Sequence, residues 1–582
     1  MTSDEDRSVV NNINVNLPTE DEIEKEAKSG TGIYTILKIA KAEKRMFWTM
    51  TAMFGLISFI YSVARVFKDA AVIGKQHPTS IFFLKFFVIL PCSIISVGFI
   101  QKALEKYPFT RIFDFLLGFF ALAFIVLGGV LLPFSSYIQI QPFWARDLFA
   151  DGKFVVRSAD YLFAVALVLN EWTSSLIYVI SEMFGSLILS YMFNTFANSL
   201  TTPDQSTRFV PLFYVFSNLA LLISGLSLLS FNKYKKNIPL ETAEVYFNIF
   251  FCLSGILCMA IYGLKYHLEK NITCRPIFIR KDTIKKKSKV KVGFVDGLVE
   301  MSKSKLLLNI SLIVLFYSIS TNIIESSYKS ALSAGAEEFG QNKGTYSSIF
   351  NSIEQIGVSI VVIILLISPF PSLIQTKGWI YIAILCPILT LISTFGTFVL
   401  AYINYPVTNK DDNIIFPSLR SSADNSYIVF ENWIGVVCVA LMKISKYAAF
   451  DITKESISMQ IDGSIRAKYK GIFDGVFGKL GKSFGSIYGM CILALFNCRD
   501  IRKAAPISFS LLIVFCVIWF YSVFYLNSKY SEAIKNNRHI DIDLFDTSET
   551  KADKVEVSVA SKTNFNKKCI LTKKFFMNWS YL

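Results

Sequence analysis

The sequence predicts an all-α integral membrane protein with about twelve transmembrane helices. Three observations carry that expectation. The 582 residues are 53% hydrophobic and only 18% charged, with a mean hydropathy of +0.46, more apolar and less charged than an ordinary soluble domain. Stretches such as FFVILPCSIISVGFI and ISFSLLIVFCVIWFYSVFYL run for at least 15 residues without a charge, close to the roughly 20 that span a bilayer core. The formal charge of +15 sits mostly between such runs, notably in KKKSKVK. That placement fits cytoplasmic loops beside a lipid bilayer and argues against a nucleic-acid partner.

Apolar runs bounded by charge or turn residues fall near 46–66, 80–101, 112–132, 167–198, 209–230, 243–266, 306–330, 345–369, 378–402, 427–447, 472–496 and 505–526. The segment 1–45 is polar and acidic and lacks the basic start and short apolar core of a signal peptide. A basic segment, 267–305, separates a first six-helix half, 46–266, from a second, 306–526. The tail, 527–582, is polar, mixed in charge and expected to be disordered. Six plus six helices around a long central loop is the major-facilitator plan, in which two halves rock around a site near the midplane. An even number of spans and the basic central loop place both termini in the cytoplasm. Ten scattered cysteines without a C-x-x-C pair read as small buried residues, so neither a metal site nor a cofactor is expected.

A charge at mid-bilayer costs at least about 2.5 to 3.5 kcal/mol, so each one inside a span needs a reason. Along the chain, the first span ends in YSVARVFKDAAVI, with Arg65 and Lys68 on one helix face. A plain structural reading is that they mark the end of the helix. Lys85 in the second span is a lesser case, explicable by snorkelling. Glu182 lies deep in the fourth span beside Gly185 and Ser186, a placement that favours a cavity or a helix partner over lipid. The seventh span carries Glu325 and Lys329 four apart, with Asn322 on the same face; they form either an intrahelical pair or part of a pathway. Glu354 in the eighth span and Lys446 before the eleventh are weaker candidates.

Lys482 opens the eleventh span within GIFDGVFGKLGKSFGS. Gly481-Lys482-Ser483 imitates the end of a phosphate-cradling Walker A loop. The glycine such a loop requires five residues earlier is replaced by Val476. Glycines at 471, 475, 478, 481, 485 and 489 instead line one face of a helix and permit close packing. Lysines from both halves with carboxylates between them form a polar pathway that attracts an anion.

Together these segments resemble the nucleotide transporters, or ATP:ADP antiporters, of plastids, obligate intracellular bacteria and microsporidia, and the microsporidian members most. RVFKDAAVI resembles that family's first helix and SIFFLKFFVILP its second. ISEMFGS and FANSLTTPDQSTRFVPLFYVFSNLALLISG resemble the fourth and fifth, NIIESSYKSAL the seventh, and KYAAFDITKE and GKLGKSFGS the region between the tenth and eleventh. The order and spacing of the segments carry the match. The resemblance implies a carrier that exchanges ATP for ADP, importing host ATP into an energy-parasitic organism. It implies no catalytic residue, no cofactor and no obligate protein partner, and it favours the parasite's plasma membrane over an organelle membrane. It also implies that Lys68, Lys482 and Arg65 meet phosphates and that Glu182 and Glu325 shape or couple the site. Val66, Ala70, Met183-Phe184 and Ile452 depart from the family pattern and bear on nucleobase preference. The rivals are a carrier of the same architecture for another organic anion or for a nucleotide or nucleoside with protons, a membrane-bound NTP hydrolase, and a mitochondrial-type carrier, whose threefold helix repeats the twelve spans do not match.

Overall fold

The computed structural model describes residues 39–40, 43–138, 144–149, 157–201, 203–235, 240–272, 303–370, 373–409, 426–461, 477–536 and 538–540. The acidic start of the chain, most of the basic central segment and most of the tail lie outside them. Eleven helices among the described residues are long and apolar enough to cross a membrane. In chain order they are α1 (Lys44–Lys75), α2 (Ser80–Lys106), α3 (Phe109–Leu131), α4 (Trp172–Leu200), α5 (Phe209–Lys233) and α6 (Phe247–Ile272). After the central segment come α7 (Lys305–Glu338), α8 (Lys343–Ile367), α9 (Trp379–Thr408), α10 (Ile428–Met459) and, last in the chain, α12 (Ile501–Asn536). Between α10 and α12 runs α11 (Phe477–Leu495). Its glycines and two lysines make it less apolar than the other eleven, which is why about twelve spans were expected and eleven meet the criterion.

Buried side chains form two large clusters that follow the chain. One draws on residues between Ile39 and Ile272 and is rich in phenylalanine, including Phe47, Phe113, Phe124, Phe184 and Phe196. The other draws on residues between Leu306 and Ile540, with Tyr317, Phe450 and Trp519 stacked or edge-on near its centre. Each cluster is a separate packed core, and α1 and α7 are the most buried of the eleven spans. The seam between them is made by α5 and α1 against α8 and by α2 against α11.

Several spans outrun their expected ends: α7 reaches Glu338, α10 Met459 and α12 Asn536, so the first ten residues of the tail expected from 527 are helix and not disordered. The first and fourth spans differ for reasons of polar pairing. The first was expected to end near residue 66, but α1 continues to Lys75. Arg65 and Lys68 therefore lie inside the helix, because their charges are paired within the bundle and need not mark its end. The fourth was expected from 167, but a short helix, Phe163–Asn170, stops at Glu171 and α4 begins at Trp172. Gln76 just beyond α1 fixes that break: its Nε2 donates to Glu171 O at 3.0 Å, Ser174 Oγ at 2.8 Å and Ser175 Oγ at 2.9 Å.

This end of the seam is shut. A Cβ on Gly74 would lie 3.2 Å from Gly344 Cα, and one on Gly344 would lie 2.6 Å from Ala70 O, so α1 and α8 meet backbone to backbone. Nearby, Asp160 N donates to Asn497 Oδ1 at 2.9 Å, and Arg499 Nη2 reaches Asp160 Oδ1 at 2.8 Å and Phe149 O at 3.2 Å. His77, between α1 and α2, accepts at Nδ1 from Thr79 N at 3.4 Å. Burial pushes its imidazole down to about 4, against the pull of Asp500. The folded state therefore prefers neutral His77. Its contribution to stability is complete above about pH 6.5, the unfolded value, and is lost as pH falls toward about 4. Melting temperature in detergent is expected to fall across that window, and to fall less in His77→Gln.

Candidate functional site

The seam carries the charges expected in the spans, and the backbone departs from regular α-helix beside several of them. In α2 a π-helical stretch, Leu84–Ile89, contains Lys85 and precedes Pro91, whose missing N–H leaves the preceding turn free to widen. In α4 a π-helical stretch, Gly185–Phe193, follows Glu182, and in α10 another, Lys446–Phe450, follows Lys443. Such widened turns rotate the side chains of one helix face relative to the next and recur at functional sites.

Glu182 sits between the halves. Lys68 Nζ from α1 lies 2.5 Å from Glu182 Oε2, and Lys482 Nζ from α11 lies 3.8 Å from Glu182 Oε1. Lys68 also lies 4.2 Å above the centre of the Tyr178 ring, a cation–π contact that holds it in place. The Lys68 side chain is only 7% exposed and Lys482 is 61% exposed, so the cluster is reached from the Lys482 side. Arg65 Nη2 lies 3.8 Å from Glu325 Oε1, Lys329 Nζ lies 3.2 Å from the same oxygen and 3.0 Å from Asp69 Oδ2. Lys443 Nζ lies 2.5 Å from Glu354 Oε2. Asn322 Oδ1 accepts from Lys85 Nζ at 2.5 Å, while its Nδ2 donates to Lys482 O at 2.8 Å and Ser486 Oγ at 3.3 Å.

Arg65, Lys68, Lys329, Lys443 and Lys482 thus meet Asp69, Glu182, Glu325 and Glu354, while Lys85 meets the Asn322 amide. Basic groups outnumber acidic ones in this cluster, an excess that favours an anion. The cavity beside them, lined by Arg65, Val66, Asp69, Glu325, Asn351, Glu354, Gln355 and Lys443, encloses only about 20 Å³, far below the about 300–1,000 Å³ of most small-molecule pockets. In this conformation the cations are therefore held by carboxylates in a contracted space.

Of the residues singled out in the sequence, Arg65, Lys68, Glu182, Glu325, Asn322, Glu354 and Lys482 come together at the seam. Lys446 does not share these ion pairs: its Nζ lies 5.4 Å from the Tyr447 ring centre, and Lys443, one helical turn earlier, faces Glu354 instead. Lys85 is turned inward to Asn322 and does not snorkel. Sequence reasoning passed over Asp69, although it follows Lys68 directly, because attention there went to Arg65 and Lys68, weighed as marking the end of a helix. The Met183-Phe184 departure lies off the site. Phe184 is fully buried against Phe120 and Phe124, and Met183 Sδ accepts from Ser93 Oγ at 3.6 Å. The apparent Walker ending is helical: Phe477–Leu495 is continuous helix. A Cβ on Gly481 would lie 2.8 Å from Leu315 O and one on Gly485 2.7 Å from Asn322 Nδ2, so these glycines seat α11 on α7.

The chain is similar to known proteins over most of its length. The chain is 39% identical over 529 residues to ADP,ATP carrier protein 1 of Encephalitozoon cuniculi, covering 91% of this chain and 94% of that one. It is 37% identical over 540 residues to ADP,ATP carrier protein 1 of Paranosema grylli, covering 92% and 97%. A more distant relative, ADP,ATP carrier protein 1 of Rickettsia prowazekii, is 24% identical over 507 residues, covering 86% and 96%. Residues 23–530 match the family described as TLC ATP/ADP transporter. With that match running through all twelve helices, the chain belongs to the TLC ATP/ADP transporter family.

Proposed function

We propose that this protein exchanges ATP for ADP across a membrane by alternating access between two six-helix halves, 46–266 and 306–526. The observation that carries the reading is Glu182, shared at 2.5 and 3.8 Å by lysines from opposite halves. In the loaded carrier the phosphates take the place of Glu182 and Glu325 against Lys68, Lys482 and Arg65. Closure of the halves over the polyanion then brings cations from both sides onto it, which neither half achieves alone. No bond is made or broken, and the protein acts as a carrier and not as a hydrolase. The names of its relatives support ATP and ADP as the exchanged pair. The basic central segment supports cytoplasmic termini, and import of ATP through the parasite's plasma membrane is the direction we favour.

The test is uptake of labelled ATP into liposomes containing the purified protein, competed with ADP, GTP, NAD and AMP, with and without nucleotide inside. Uptake that ADP blocks and that requires internal ADP or ATP is expected. Uptake indifferent to ADP, or equal with empty vesicles, overturns the exchange reading.

A further inference from the structure

Helices α1 and α7 carry the same spacing with the charges inverted. Arg65 and Asp69 on α1, like Glu325 and Lys329 on α7, are four residues apart, which puts each pair on one helix face. Arg65 meets Glu325 at 3.8 Å, Glu325 meets Lys329 at 3.2 Å, and Lys329 meets Asp69 at 3.0 Å. The result is a neutral chain of four charges, in which the first and last links cross from one half to the other. The last link is the more buried: the Asp69 and Lys329 side chains are each 5% exposed, against 24% and 18% for Arg65 and Glu325.

Asp69 has a second peculiarity. Its Oδ1 is buried without a hydrogen-bond partner, and the residue lines the small cavity at the seam. Its Oδ2 faces Lys329, so among the described residues the ion pair of this buried carboxylate is to a cation of the opposite half. Lys68, one position earlier and about 100° around the helix, points instead to Glu182 and Tyr178. Adjacent residues on α1 are thus committed to different tasks. Asp69 also lies between Arg65 and the Gly74–Gly344 contact, on the side of the charged cluster that is shut. Rocking the halves to open that side must stretch the Asp69–Lys329 link.

We propose that the Asp69–Lys329 pair is a coupling latch, which keeps the unloaded carrier shut at the Gly74–Gly344 end until nucleotide phosphates replace Asp69 as the counter-ion of Lys329. The inference rests on the exchange reading above. Separating a buried ion pair with nothing to replace either partner is strongly unfavourable. A phosphate arriving at Lys329 removes much of that penalty, so the loaded carrier reorients and the empty one stays. Obligatory exchange follows from this difference, with Lys329 meeting the phosphate and Asp69 a positioning residue that holds Lys329 until it arrives.

The test uses full-length protein in liposomes preloaded with labelled ADP, with efflux measured in the presence and absence of external ATP. Wild-type efflux is expected to depend strongly on external ATP. In the double variant Asp69→Asn with Lys329→Gln, the ratio of stimulated to unstimulated efflux is expected to drop at least about tenfold, because unstimulated efflux rises. The charge-exchanged variant, Asp69→Lys with Lys329→Asp, is expected to regain a high ratio. An unchanged ratio in the double variant, or equal slowing in both arms as a merely structural role predicts, overturns the latch. If the double variant does not reach the membrane, Asp69→Asn alone, which leaves Lys329 beside Glu325, reads the same ratio. Wild-type efflux indifferent to external ATP overturns the exchange reading itself.

Discussion

Lys68→Ala and Lys482→Ala are each expected to lower nucleotide uptake at least about 100-fold while the protein still reaches the membrane. A charge-assisted hydrogen bond contributes roughly 1.5–3 kcal/mol, and each lysine that closes on a phosphate makes more than one. The two losses have different origins. Lys68 is buried and held by Glu182 and Tyr178, so its removal leaves Glu182 with Lys482 at 3.8 Å as its remaining ion-pair partner among the described residues. A carboxylate so exposed also repels the incoming phosphates. Lys482 is exposed, and its removal takes away the second-half cation that faces Glu182. Uptake into liposomes, with membrane abundance measured on the same samples, checks both; wild-type uptake by both variants would remove these lysines from the site.

Arg502→Met is expected to destabilise the protein by about 3–5 kcal/mol, the loss typical when one partner of a buried ion pair is removed. Arg502 is fully buried at the start of α12. Its Nε donates to Asp500 Oδ2 at 2.9 Å, its Nη1 to Glu431 Oε2 at 3.4 Å and its Nη2 to Thr408 Oγ1 at 3.3 Å. It therefore ties together α9, α10 and the turn before α12, and methionine fills the space while leaving two buried acids beside an apolar side chain. Thermal unfolding in detergent should register the loss as a lower melting temperature. An unchanged melting temperature would show that this cluster is not needed to hold the second core together.

These two sites were not equally legible in the sequence. Lys68, Glu182, Glu325 and Lys482 stood out because an isolated charge in an apolar run is energetically conspicuous. Arg502 did not, because in CRDIRKAA it looks like part of an ordinary polar loop; burial by three other segments made it structural. Asp69 was hidden beside Lys68, weighed as marking a helix end, and Lys443 among the many basic residues between the tenth and eleventh spans. Phe184 erred in the opposite direction, drawing attention as a departure near Glu182 although its ring faces the aromatic core.

The sequence by itself determined the membrane class, the approximate places of the spans and the charges that require partners. Hydropathy and charge cost act locally along a helix, so they can be read without knowing what packs against it. Only the tertiary structure decided which charge answers which. Glu182 joins lysines of opposite halves, and Lys329 reaches Asp69 as well as its own neighbour Glu325. Pairing across 114 or 237 residues, as in Lys68–Glu182 and Lys85–Asn322, depends on helix rotation and on the glycine contacts that set how closely the helices approach, and no local pattern encodes either.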